Sequence, residues 1–149
     1  MRENRLRKTI KQFIYSIDDT VKVKFNEYDG FYYDLEKHFV NIDFMDMTSD
    51  GFIEHLKEYH RCNFANKFSV VTWFILHELG HKSTQFEVNW YNDFQKRFYL
   101  CLIKDENQST IEYFNLPSEY KATEWAIWFA NTHRELVKEF DLLIRKYSE

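Results

Sequence analysis

The segment NKFSVVTWFILHELGHKS, residues 66–83, decides how this chain is read. Its strongly apolar run predicts a helix over about 67–82, central in the fold and buried. The run ends in His77-Glu78-Leu79-Gly80-His81, an HExxH pattern. Histidines at i and i+4 project from one helical face a turn apart, so their imidazoles can converge on a single Zn²⁺, with Glu78 within reach of a water on that ion. Burying two histidines and a glutamate among such apolar neighbours without a metal or polar partner would be costly, which favours the metal reading.

Working outward, Leu6, Ile10, Phe13, Ile14 and Ile17 fall at helical spacing, and residues 3–18 read as an amphipathic helix whose basic residues form a solvated face. VKVKF (21–25) alternates as a strand. Asp29-Gly30 signals a turn, and FYYDL (31–35) and HFVNIDF (38–44) are rich in strand formers, so a small antiparallel sheet is expected. Ser49 or Asp50 can cap a helix over about 51–61, and another long helix is expected over about 84–103. The polar run KDENQST (104–110) reads as a loop. Pro117 suits the first turn of a further helix, and Thr132 with Glu135 forms a capping box for a terminal helix after a break near Asn131.

The chain has 149 residues and no linker or repeat, so one domain over 1–149 is expected. Fifteen Phe, ten Tyr and four Trp supply ample apolar area, while three Gly and one Pro leave few tight turns. The class is therefore α+β and mostly helical, with the sheet packed on the HExxH helix. A net charge of −4 recruits neither nucleic acid nor an anionic membrane. Cys62 and Cys101 are too far apart for a CxxC pair and are read as two buried free thiols. The N-terminal residues lack a leader's apolar core and no window has the length of a membrane span, so a reducing cytoplasm is the expected setting.

Two histidines leave a zinc site incomplete. The extended pattern with a third histidine fails, because Thr84 and Glu87 occupy its Gly and His positions. Three carboxylates remain: Glu119, Glu124 and Glu87. Ala122, Thr123, Ala126 and Ala130 lie on one helical face with Glu119, and this stripe of small residues lets their helix approach Gly80 closely. Glu119 is the choice on that ground; Glu124 falls about 140° around the helix. His60, Tyr59, Tyr120 and His133 are available as further polar donors, the strand VNIDF (40–44) as an edge for an extended peptide, and Trp73, Trp90, Trp125 and Trp128 as core.

HELGH together with Glu119, Ala122, Thr123, Trp125 and Ala126 resembles the gluzincin arrangement, in which a second helix supplies a glutamate ligand. Within it the chain is most similar to ImmA/IrrE-type metallopeptidases, whose second motif reads roughly E-x-x-A-N-x-F-A. The resemblance covers about residues 20–130 and implies a zincin-like core. It makes His77, His81 and Glu119 the ligands of one zinc ion and Glu78 the catalytic glutamate of an endopeptidase acting on a protein or peptide substrate, such as a regulatory protein. Thr123 stands where that motif has Asn, which puts the support of a ligand histidine in question. The rival expectation is a non-catalytic zincin-fold module that binds a partner protein and keeps zinc for structure.

Overall fold

The computed structural model describes residues 2–44 and 50–148. The described residues form seven α-helices and a three-stranded sheet: α1 (Arg2–Ile17), β1 (Lys22–Phe25), β2 (Tyr32–Asp34), β3 (Phe39–Ile42), α2 (Asp50–Glu58), α3 (Val70–Thr84), α4 (Trp90–Leu100), α5 (Glu106–Phe114), α6 (Pro117–Thr132) and α7 (Arg134–Ser148). The class is α+β and mostly helical, as expected. Among these residues no helix is long and apolar enough to cross a membrane.

α3 forms the axis. Trp73, Ile75, Leu76 and Leu79 are buried along it, and the Trp73 indole N–H donates to the Ala65 carbonyl at 2.8 Å. The helix starts at Val70 rather than 67 because Ser69 is its cap. The Asp141 carboxylate of α7 accepts from the Ser69 N–H (2.7 Å) and the Thr72 hydroxyl (2.6 Å), placing negative charge at the positive end of α3. α1 buries its predicted stripe on α7, where the rings of Phe13 and Phe140 stack at 3.8 Å.

The sheet is mixed, not antiparallel. Its order is β1-β3-β2, with β1 parallel to β3 and β2 antiparallel to it. β1 cannot fold back on its neighbour in sequence, because the connection between them is held across β3. The Asn41 side chain donates to the carbonyls of Tyr28 and Gly30, and the Gly30 N–H donates to Asp43. Gly30 adopts φ +91° there, a left-handed conformation that costs glycine little. β3 therefore lies in the middle, so the segment 40–44 offers no free edge. β2 does, since β3 flanks it on one side only.

Three further expectations change. The segment 84–103 is a short turn (Gln85–Glu87) followed by α4, because the Asn89 side chain caps a new start by accepting from the Asn92 N–H. KDENQST is a helix start rather than a loop. Asp105 accepts from the Gln108 N–H at 2.8 Å, Glu106 occupies the first turn, and Phe114 packs on Phe52. Thr132 closes α6 by donating to the Trp128 carbonyl, so it belongs to that helix instead of capping the next, and the break falls at His133. Asp50 is the first residue of α2, and Ser49 lies outside the described residues.

Candidate metal and acid–base site

Two helices build the site. α3 carries His77, Glu78 and His81, and α6 carries Glu119 in its first turn, two residues after Pro117. Their approach is set by Gly80: a Cβ there would lie 2.4 Å from the Ala122 carbonyl oxygen and 2.9 Å from its Cα. Only a residue without a side chain permits that contact, and Ala122, Ala126 and Ala130 keep the facing surface equally flat. The small-residue stripe read from the sequence thus acts as the seam that brings Glu119 to the histidines.

His77 Nε2 stands 2.7 Å and His81 Nε2 3.1 Å from the same atom, Glu119 Oε2. The three donor atoms lie within 4.8 Å of one another in a largely buried pocket, and this group could hold a metal ion. Zinc bound tetrahedrally at about 2.0–2.1 Å separates its ligand atoms by roughly 3.3 Å, so two imidazoles and a carboxylate at these distances fit it with small adjustment. Burial works against the charge on Glu119, yet the hydrogen bonds with His77 and His81 hold its carboxyl well below the usual range. Burial likewise opposes protonation of His81, but its hydrogen bond with Glu119 and the charges of Glu119 and Glu78 together outweigh that and raise its pKa. Glu124 and Glu87 are both exposed and take no part in this group.

The outer side of each ligand is held too. Thr123 Oγ1 lies 2.9 Å from His77 Nδ1, one turn along α6 from Glu119. A hydroxyl both donates and accepts, so Thr123 can support the imidazole in either tautomer, and it fills the place the resemblance gave to Asn. Arg97 of α4 donates to Glu119 Oε1 at 3.1 Å and to the Ser118 hydroxyl, while its Nε pairs with Asp93 at 2.8 Å. Asp93 also accepts from the Ser118 N–H at 2.8 Å. One oxygen of Glu119 is therefore tied to Arg97, and the other is left facing the imidazoles.

Glu78 is buried beside the histidines. Desolvation pushes its carboxyl above the usual range, against the histidines that favour its charge, and it accepts a backbone hydrogen bond from Tyr33 of β2. A cleft of about 230 Å³ opens over Glu78, His81 and Glu119, walled by Tyr33, Trp90, Arg97 and Tyr113. Hollows of about 300 and 420 Å³ elsewhere, one beside Phe64 and Arg134 and one beside Ile53 and Arg145, contain none of these groups.

Of the polar donors named from sequence, none of His60, Tyr59, Tyr120 and His133 walls the cleft. His60 lies against the Tyr120 ring, and His133 stacks on Phe129. Tyr113 takes that position instead: burial and the neighbouring carboxylates raise its pKa, so it stays a phenol able to donate, and it hydrogen-bonds Glu119. Of the tryptophans, Trp73 is core and Trp125 packs against it; Trp90 and Trp128 are exposed, Trp90 at the cleft. Cys62 is buried as expected, but Cys101 is exposed. Arg97 and Tyr113 were not singled out from sequence; the i,i+4 pair Asp93–Arg97 on a helix otherwise lined outward with aromatics was the available signal. Comparison with protein-family models, curated proteins and solved structures finds no match.

Proposed function

We propose that this chain is a zinc-dependent metallopeptidase with a zincin-like core, hydrolysing a peptide bond of a protein substrate in a reducing cytoplasm. One observation carries the reading: two imidazole nitrogens and a carboxylate oxygen meet on one point, with a buried, desolvated glutamate beside them over an open cleft. His77, His81 and Glu119 would hold one zinc ion. A zinc ion bound there supplies Lewis acidity, lowering the pKa of a water and polarising the scissile carbonyl.

The remaining work belongs to the chain's own side chains. Glu78, oriented by the Tyr33 N–H, takes a proton from the attacking water and passes it to the departing amine; burial raises its pKa, which favours holding that proton between the two transfers. Tyr113, whose O–H hydrogen-bonds Glu119, stands at the cleft where turning that O–H would bring it toward charge that builds on the carbonyl oxygen. β2 is the outer strand beside the cleft, with the Tyr33 N–H engaged by Glu78, and an extended peptide laid along its remaining backbone groups would run along the cleft. The gluzincin resemblance, of the ImmA/IrrE type, agrees with this assignment of roles. Two free cysteines suit a reducing compartment.

Elemental analysis should find one zinc per chain. Glu119→Gln should lower occupancy strongly, while Glu87→Gln and Glu124→Gln leave it near wild type. Glu78→Gln should keep the metal and lose cleavage, because an amide cannot accept the proton. A wild-type chain that cuts nothing in a host lysate, beside a Glu78→Gln variant that still performs the biological task, would assign the alternative role of a binding module holding zinc for structure.

A further inference from the structure

We propose that the outer face of α4 is the contact surface of a homodimer, occupied by the same face of a second copy of this chain. Trp90, Phe94 and Phe98 recur every fourth residue along α4, Phe86 lies in the turn before it and Leu102 just beyond its end, and all five are exposed, Phe86 at 94%, Phe94 at 71% and Phe98 at 66%. Tyr91 and Tyr99 extend the stripe. α4 itself buries a single residue, Asp93, and is anchored through the polar contacts of Asp93 and Arg97 rather than by an apolar face. Short helices draw most of their stability from packing such a face, so a helix of 11 residues that turns its aromatics to water lacks its main support.

The area identifies the occupant. At roughly 150–250 Å² per aromatic side chain, the exposed part of this stripe amounts to on the order of 900 Å². A typical monomer's largest apolar patch is about 300–600 Å², whereas each side of a standard stable interface contributes about 800 Å². The stripe matches the second figure. Side chains spaced by four form one ridge, and two identical ridges related by a two-fold axis interdigitate at the commonest helix crossing, so the surface is complementary to itself. Its charge agrees. Asp93 and Arg97 pair with each other and with Ser118 and Glu119, and Lys96, the remaining charge of α4, lies off the stripe, so the ridge of Trp90, Phe94 and Phe98 carries no charge to repel its copy. The same lack of outward basic side chains deprives an anionic membrane or a nucleic acid of its usual handle. The seam borders the cleft, because Trp90 belongs to both, yet nothing in it depends on a metal.

Sedimentation velocity on the intact chain from about 1 to about 100 µM tests the assignment, since self-association responds to protomer concentration. The wild type should sediment with twice the monomer mass, and Phe94→Glu combined with Phe98→Glu should give a monomer with an unchanged far-UV dichroism spectrum. As a check that survives poor folding of that variant, Phe94→Cys in a Cys101→Ser background should form a disulfide between copies on mild oxidation, and Lys96→Cys in the same background should not. A wild type that stays monomeric at the highest concentration, a double variant that stays dimeric, or equal cross-linking at both positions would overturn the proposal. So would a monomer that co-sediments with phosphatidylcholine vesicles, which would give the stripe to a lipid surface.

Discussion

Gly80→Ala tests the seam on which the site depends. The added Cβ would stand 2.4 Å from the Ala122 carbonyl oxygen and 2.9 Å from its Cα, both backbone atoms, so no change of rotamer relieves the clash. Carbon–oxygen contacts settle at about 3.3–3.6 Å, which requires α3 and α6 to separate by about 1 Å. Overpacking of this kind costs about 1–3 kcal/mol and here lies at or above the top of that range, because two backbones must move. Alanine regains about 1 kcal/mol of helix propensity. The net loss is about 2 kcal/mol, or about 4–8 °C in Tm for a domain of this size. The same shift carries Glu119, one turn before Ala122, away from His77 and His81, so metal affinity should fall together with stability. Thermal unfolding followed by circular dichroism, with and without added zinc, measures both effects. Gly30→Ala is the control: its Cβ meets nothing within 4 Å but must adopt φ +91°, so it should cost about 1 kcal/mol and leave metal affinity alone. A Gly80→Ala chain melting at or above the wild-type temperature would refute the close contact of α3 and α6.

Thr123→Val removes the hydroxyl at His77 Nδ1 and should weaken zinc binding by about 10–100-fold in a chelator competition, with Thr123→Ser restoring it. Asp141→Ala strips the acceptor from the Ser69 N–H, the Thr72 hydroxyl and Arg145, and should cost about 2–3 kcal/mol in urea unfolding. His55 and His60 should make the fold acid-sensitive. Burial, and in second place nearby imidazoles, pushes both down to about 4, and neither His55 nitrogen nor His60 Nε2 has a hydrogen-bond partner. The unfolded chain takes up protons near pH 6.5 and the folded one only near 4, so this contribution is complete above about 6.5 and fades as the pH falls toward 4, by up to about 3 kcal/mol for His55. The difference in stability between wild type and His55→Phe should therefore change across that window, and a pH-independent difference would contradict the assignment.

What the sequence made legible follows from how local each signal is. α1, α3 and α6 carry their own periodicity, caps or proline, and their positions came out within a few residues. The sheet did not, because pairing is a long-range choice. VKVKF and FYYDL look like a hairpin when read in order, and only the hold of Asn41 and Asp43 on the residues 28–30 sends the chain to the far side of β3. α5 was hidden by composition: KDENQST is polar enough to read as a loop, yet Asp105 and Glu106 are the residues a helix start needs.

The candidate site divides in the same way. Histidines four apart and a glutamate between them are a property of one helix, so HELGH announces itself. Glu119 required a second step, the recognition that small side chains on α6 and glycine on α3 let two helices touch, and the structure places its carboxylate on the imidazoles in that way. Thr123 rode on the same argument, being on the same face. Arg97 and Tyr113 come from α4 and α5, which meet Glu119 only through the tertiary fold, and no spacing within either helix encodes that meeting. Charge balance would have predicted that some partner was present. With Glu78 and Glu119 both buried close together, positive charge is wanted on each free oxygen, and a buried carboxylate of depressed pKa is hard to keep without it. Arg97, holding Glu119 Oε1 while Oε2 faces the histidines, is the answer the fold supplies.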